Sequence, residues 1–312
     1  MAQNHVIGWD AKAFLAEYKA SNSYYTKKNL RIDEFQNTIA IVDQGFYIDE
    51  DGNRHDFDKL QKMISDTVFV DRELPSVKGK GCGCETVVEV VNEDCLEVAR
   101  KLVVDGYAPG LLNMASFSNP GGGVASGAGA QEETVFRRTD LFKSLYQFAS
   151  YAPQYGLKKS PHQYPLDRNF GGVFTPYVTY FRESEQKGFA LMTDPVNFAV
   201  ITVAGIARPD LTPDGREIAP YLVGTVKNKI RTIFRLGALN GCDSLVLGAL
   251  GCGAFQNPPA HVAKIFREVI DEPEFAGVFR RITFAILDDA NAHRLHNPDG
   301  NFLPFLRQFP TP

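Results

Sequence analysis

The chain predicts an α/β fold, with helices on both faces of a central sheet. Three features of the sequence lead there. From about residue 84 onward, strand-like and helix-like stretches alternate. Two glycine-rich loops each follow a predicted strand and precede a predicted helix. Between them and the N-terminus, Pro75–Gly83 is rich in Pro, Gly and Lys, which marks a boundary. The expected organisation is therefore an N-terminal, partly helical extension over residues 1–80, packed on a main body over 81–312. With 312 residues, the chain can bury a sizeable core.

In chain order, Asp10 to Asn22 reads as a helix, with Phe14, Leu15 and Tyr18 on one side and Asp10 as N-cap. Thr38–Val42 reads as a strand and Asp49–Gly52 as a turn. In the body, Thr86–Val91 is a β-branched strand, Cys95–Leu102 a helix, and Gly110–Met114 a short apolar strand. Thr134–Tyr151 repeats Phe136, Leu141, Leu145 and Phe148 and predicts one helix. Phe174–Phe181 and Ala199–Val203 are expected strands, and Pro220–Leu239 a long helix. Ser244–Gly248 is a buried strand, Ala260–Ile270 a helix, and Arg281–Leu287 the last strand.

A formal net charge of −4 argues against a general nucleic-acid binder, which normally presents a basic face. No apolar run approaches the length of a membrane span. The first ten residues lack the basic start and apolar stretch of a secretory signal. Five cysteines, Cys82, Cys84, Cys95, Cys242 and Cys252, fit free thiols in a reducing compartment. The expectation is a cytoplasmic protein (nuclear in a cell that has a nucleus), not secreted, and a monomer.

The chemistry concentrates in Asn119-Pro120-Gly121-Gly122-Gly123-Val124, a short spacer, and Gln131-Glu132-Glu133. Glycines let backbone N–H groups approach a ligand closely, and a run of such groups cradles an anion. Phosphate is the usual guest. Carboxylates directly after the cradle can do acid/base work on a neighbouring bond. A second glycine-rich loop spans Gly248 to Pro259 and contains Gly251-Cys252-Gly253-Ala254-Phe255. Ligands of open α/β sheets sit beyond the carboxyl ends of the strands, so two such loops predict a clamp on a diphosphate.

Three glycines, a spacer and Gln-Glu-Glu resemble the signature of the microbial-type (bacterial and fungal) poly(ADP-ribose) glycohydrolases of the macrodomain superfamily. The Gly-Cys-Gly-Ala-Phe run looks like their diphosphate loop. The resemblance covers about residues 84 to 290. It implies a macrodomain-like three-layer α/β/α fold with a central mixed sheet. It also implies hydrolysis of ribose–ribose O-glycosidic bonds, releasing ADP-ribose from poly(ADP-ribose). ADP-ribosylated proteins would be partners, and no cofactor is implied.

By that resemblance, Glu133 protonates the leaving ribose oxygen and then activates water, which needs a carboxyl tuned toward neutrality. Its alternative reading is an acid favoured in a first helical turn by the helix dipole. Glu132 would hold the hydroxyls of the leaving ribose; helix neighbours lie about 100° apart, so the two glutamates are expected to point differently. Asn119 would hold the distal ribose, Gln131 would shape the loop, and Phe255 would cover the distal ribose. Cys252 reads as packing, because a nucleophilic thiol needs an activating base. Asp94 is either the acceptor for the adenine amino group or the N-cap of the helix that follows, the two readings standing level. Endo or exo cleavage is expected to depend on how Asn301–Phe309 closes the far side of the pocket.

Cys82-Gly83-Cys84 lacks the second ligand pair of a zinc site. His293 and His296, with Asp288, Asp289 and Asn291, read as a surface cluster. The rivals are a hydrolase of single ADP-ribose units on protein or nucleic acid, a non-catalytic ADP-ribose reader, and a phosphoesterase using the loops differently.

Overall fold

The computed structural model describes residues 6–288 and 294–310. His293, Asp289 and Asn291 of the expected surface cluster lie outside the described residues. Backbone contacts divide the chain into two compact units. One comprises Met1–Asp66, Asn119–Pro161 and Tyr177–Asn197; the other comprises Thr67–Ser118, His162–Pro176 and Phe198–Pro312.

The first unit begins with α1 (Ala11–Ala20) and α2 (Tyr24–Gln44). Asp10 caps α1 as expected, accepting from the N–H groups of Lys12 and Ala13. The expected strand at Thr38–Val42 is instead the last third of α2. Thr38, Ile41 and Val42 are buried on one side of a helix that Ser23 caps and Gly45 ends at φ +87°. Tertiary packing here outweighs β-propensity. The hairpin β1 (Phe46–Ile48) and β2 (Arg54–Asp56) turns at the predicted Asp49–Gly52. Asp49 accepts the N–H groups of Asp51 and Asn53 there. After α3 (Leu60–Asp66) the chain enters the second unit.

That unit carries the sheet. β3 (Val68–Val70), β4 (Val87–Val91), α4 (Cys95–Val104) and β5 (Pro109–Met114) come first. The chain then returns to the first unit for α5 (Gln131–Arg138) and α6 (Leu141–Leu145). The single helix expected over Thr134–Tyr151 starts three residues earlier and breaks at Thr139, whose backbone is extended (φ −140°, ψ 170°). β6 (Gly172–Arg182) and β7 (Leu191–Val203) follow, then α7 (Pro220–Leu239), β8 (Ser244–Leu247), α8 (Pro259–Ile270), β9 (Arg281–Ala285) and α9 (Phe302–Gln308).

The seven-stranded sheet runs β3-β6-β7-β5-β8-β9-β4. It is mixed: β3 is antiparallel to β6, whereas β7, β5, β8, β9 and β4 pair in parallel. Side chains alternate between its faces. Leu112, Leu245, Leu247, Ile282 and Phe284 join α7, α8 and α9 in one apolar cluster. Leu111 and Val246, buried as well, face the other way, and α4 contacts β5, β8 and β9. The expected α/β sheet flanked by helices is the observed one.

One further expectation changes. Cys82 and Cys84 are joined by a disulfide, with Cα atoms 5.3 Å apart, while Cys95, Cys242 and Cys252 are free thiols. Gly83, the residue between them, lies at φ +68°, a conformation glycine adopts without steric cost. The segment Asn301–Phe309 folds as a helix. It forms α9, with Phe305 against Phe266 and Phe284 and Phe309 stacked on Phe284 at 4.8 Å. Among the described residues, no helix is long and apolar enough to cross a membrane.

Candidate functional site

In the first unit, Asn119 opens a tight turn: its carbonyl accepts the Gly122 N–H at 3.2 Å, and that of Gly121 accepts the Val124 N–H at 3.0 Å. Gly121 and Gly122 lie at φ +80° and +52°, a region that disfavours other residues. A Cβ on Gly121 would meet the Phe136 ring at 2.6 Å, so α5 seals the loop from below. Val124 is buried and starts a single 3-10 turn. The loop then lies flat against α2: a Cβ on Gly127 would fall 2.3 Å from the Lys28 carbonyl, and one on Gly129 2.7 Å from Arg31 Nη1.

Gln131, half-buried, is the first residue of α5, so Glu132 and Glu133 occupy its first turn. Both are nearly inaccessible, at 3% and 7% exposure. Their carboxylates do not diverge as expected from the Cα directions. Each is long enough to reach back over the helix start. Glu132 Oε1 accepts the Gly121 N–H at 3.0 Å, and Glu133 Oε1 accepts the Gly123 N–H at 2.8 Å. They converge on Gly122, where a Cβ would lie 2.6 Å from Glu133 Oε1 and 2.9 Å from Glu132 Oε2. Glu133 Oε2 is buried, with no hydrogen-bond partner among the described residues.

A buried charge cluster that the sequence did not reveal sits behind α5. Glu34 on α2 lies 3.4 Å from Arg182 Nε and 3.7 Å from Arg137 Nε, and 2.9 Å from the Thr38 hydroxyl oxygen. Arg137 donates to the carbonyls of Arg31 and Val124, tying the loop to α2. Burial pushes Glu34 up to about 7 against the pull of the two arginines, and pushes Arg182 down to about 10. Nearby, Tyr146 packs against Phe136 at 5.8 Å and Tyr151 at 5.2 Å; burial raises both phenols, Tyr151 to about 12, and the Glu132 charge adds to the shift.

In the second unit, β5 and β8 lie side by side and parallel, and each leads from its carboxyl end into one of the two glycine-rich segments. The 248–258 loop is held by Asn257, a buried residue absent from the sequence-based set. Its Nδ2 donates to the carbonyls of Ile206 at 2.7 Å, Gly251 at 2.9 Å and Phe255 at 3.3 Å. Gly251, at φ +75°, has no room for a Cβ, which would meet Asn257 Nδ2 at 2.6 Å. Cys252 is fully buried, Gly253 and Phe255 are half-buried, and Ala254 is exposed. Asp94 caps α4, accepting from the N–H groups of Leu96 and Glu97 at 2.9 and 3.2 Å. Two surface clefts in this unit, one around Cys82, Cys242 and Asp243 and one around Cys84, Arg267 and Phe275, involve none of the expected site residues. Among the described residues, no three His, Cys, Asp or Glu side chains are grouped as a metal ion requires.

Comparison with known proteins gives the same direction. The family model for the microbial-type PARG catalytic domain matches residues 35–183. No curated protein matches. Among solved structures, the chain is similar to the poly(ADP-ribose) glycohydrolase of Thermomonospora curvata bound to the inhibitor ADP-HPD. Identity is 27%, the TM-score 0.69, and the match covers 89% of this chain and 99% of that one. A second structure of that enzyme gives a TM-score of 0.70 at the same identity and coverage. The Deinococcus radiodurans enzyme in complex with ADP-ribose is 28% identical, with a TM-score of 0.60, over 81% of this chain and 98% of that one.

Proposed function

We propose, for a chain that carries the catalytic domain of the microbial-type poly(ADP-ribose) glycohydrolases, that it releases ADP-ribose from poly(ADP-ribose) with Glu133 as the single acid and base. The observation that carries this assignment is the asymmetry of the Glu133 carboxylate. One oxygen is fixed by the Gly123 N–H, and the other is buried and unpartnered. A buried polar atom without a partner calls for a functional explanation, and a bound ribose oxygen supplies one.

In the first step, the proton on Glu133 passes to the leaving ribose oxygen as the glycosidic C–O bond breaks. An oxocarbenium-like centre is left behind. In the second step, water adds to that carbon and gives its proton to the Glu133 carboxylate, which restores the acid. Paired-carboxylate glycosidases place their two groups on opposite sides of the bond. Glu132 and Glu133 instead converge on Gly122, which favours one acid with Glu132 holding the leaving ribose. Asn119 is assigned the distal ribose, and Gln131 the shape of the loop. The N–H groups of 121–124 and of 251–253 are assigned to phosphate, and Phe255 to the distal ribose face. Asp94, besides capping α4, is assigned the adenine amino group. ADP-ribosylated proteins carry the chains it acts on, and the protein works as a cytoplasmic monomer.

Product analysis tests this. Wild type incubated with poly(ADP-ribose) should yield free ADP-ribose, and Glu133→Gln should not. Intact chains from both proteins, with ADP-ribose still bound, would move the chain to the readers or the hydrolases of single ADP-ribose units.

A further inference from the structure

The first turn of α2 carries an unusual surface. Tyr24 and Tyr25 are 67% and 77% exposed, and their rings meet edge to face at 5.8 Å. One helical turn on, Lys28 Nζ sits 5.9 Å from the Tyr24 ring centroid, and Lys27 Nζ 4.6 Å from that of Tyr18. Among the described residues, neither lysine is paired with a carboxylate. By contrast, Arg31 is held by Glu185 at 2.6 Å. The whole chain has a net charge of −4, so an aromatic and cationic patch is not its general surface character.

The patch is continuous with the catalytic loop. The Lys28 carbonyl and side-chain stem form the wall against which Gly127 packs, and the loop residues Ala125, Ser126, Gly129 and Ala130 are exposed beside it. Gly127 is four residues from Gly123, whose N–H holds the proposed acid.

We infer that Tyr24, Tyr25, Lys27 and Lys28 form a binding site for the part of the substrate chain that runs on from the scissile bond. The occupant is a flexible polyanion of adenine-bearing diphosphates. Aromatic faces stack on bases regardless of sequence, and lysines neutralise the intervening phosphates. The site tethers long chains near Glu133 and takes no part in bond cleavage. This rests on the glycohydrolase reading for its substrate, but its test needs no turnover.

The test compares labelled poly(ADP-ribose) with free ADP-ribose, in binding titrations at several salt concentrations. The proteins are wild type, Tyr24→Ala/Tyr25→Ala and Lys27→Gln/Lys28→Gln; Gln keeps part of the stem that packs on Gly127. Chain affinity should fall about tenfold in the tyrosine variant, while free ADP-ribose binds as before. The lysine variant should also flatten the dependence of log K on log salt by about one to two units. Turnover at saturating chain should not change. Equal losses for chain and for free ADP-ribose would mean the patch only supports the loop. Unchanged chain affinity would assign the patch to another partner, such as a protein. Either result overturns the inference. A wild type that binds chains through these residues without cleaving them would sink the glycohydrolase reading and leave the inference standing.

Discussion

Glu133 holds the backbone N–H of Gly123 through one carboxylate oxygen at 2.8 Å and keeps the other buried without a partner. The first contact fixes the rotamer, and in the proposed mechanism the second oxygen is the one that meets the substrate. Glutamine preserves the first and cannot replace the second, because an amide neither gives nor takes a proton near neutral pH. Glu133→Gln should therefore lose about 10²–10⁴-fold in kcat on poly(ADP-ribose). ADP-ribose affinity by calorimetry and the melting temperature should stay close to wild type. Near-normal turnover in this variant would remove the mechanism.

Gly122 faces both carboxylates. Alanine there would place its methyl 2.6 Å from Glu133 Oε1, and its φ of +52° adds backbone strain of about 1 kcal/mol. Gly122→Ala should stay folded but displace Glu133, lowering kcat by at least tenfold. Gly79→Ala, also at positive φ but with open space around the added methyl, serves as the control for strain alone. Equal activity in the two variants would show that the close approach to Glu133 does not matter.

Asn257 satisfies three carbonyls of the second loop and its neighbourhood with one amide. Asn257→Ala removes the donor of the Ile206 carbonyl, at about 1–3 kcal/mol, while the Gly251 and Phe255 carbonyls keep the backbone N–H groups of residue 257 and Arg208. We expect lower thermal stability and a several-fold loss of ADP-ribose affinity. A variant that loses stability but binds ADP-ribose normally would separate the 251–255 loop from the ligand.

Asp140 accepts the Thr179 N–H at 2.8 Å through Oδ1, and its Oδ2 is buried with no hydrogen-bond partner among the described residues. Burial pushes its carboxyl up to about 7, from 3.8 in an exposed setting. The folded protein thus binds this proton more tightly than the unfolded chain. Its contribution is complete below about pH 4 and is lost as pH rises through 7, a change on the order of a few kcal/mol. Asp140→Asn keeps the acceptor and cannot ionise. Denaturation at pH 5 and pH 8 should show wild type losing stability with rising pH and the variant losing less. Parallel curves would place the titration elsewhere.

Local signals carried most of the fold. Proline at its start and a polar residue after its end put α7 at Pro220–Leu239, as read from the sequence. The strand runs at 87–91, 109–114, 244–247 and 281–285 were equally legible. The reading failed where distant residues decide. Thr38–Val42 is β-branched, yet Thr38 donates its hydroxyl to the carbonyl of Arg137, almost a hundred residues away, and stays helical. The glycine loop and the two glutamates were legible as a motif. Their convergence was not, because it depends on rotamers at a helix end. Glu34, Arg137 and Arg182 carry no local signal, since only the fold brings them together, and nothing in the sequence around Asn257 marks its amide as a buried donor.

The division of the chain also orders events during synthesis. The unit holding Glu133 is assembled from residues 1–66, 119–161 and 177–197. When α2 leaves the ribosome, Glu34 has neither arginine partner. Arg182 emerges well over a hundred residues later, roughly ten seconds or more at ordinary elongation rates. Until then, the apolar face of α2 with Phe35, Ile41 and Val42 has nothing of its own unit from the later segments to cover it. The apolar face of α2 thus stays open to a chaperone until the later segments of its unit have emerged.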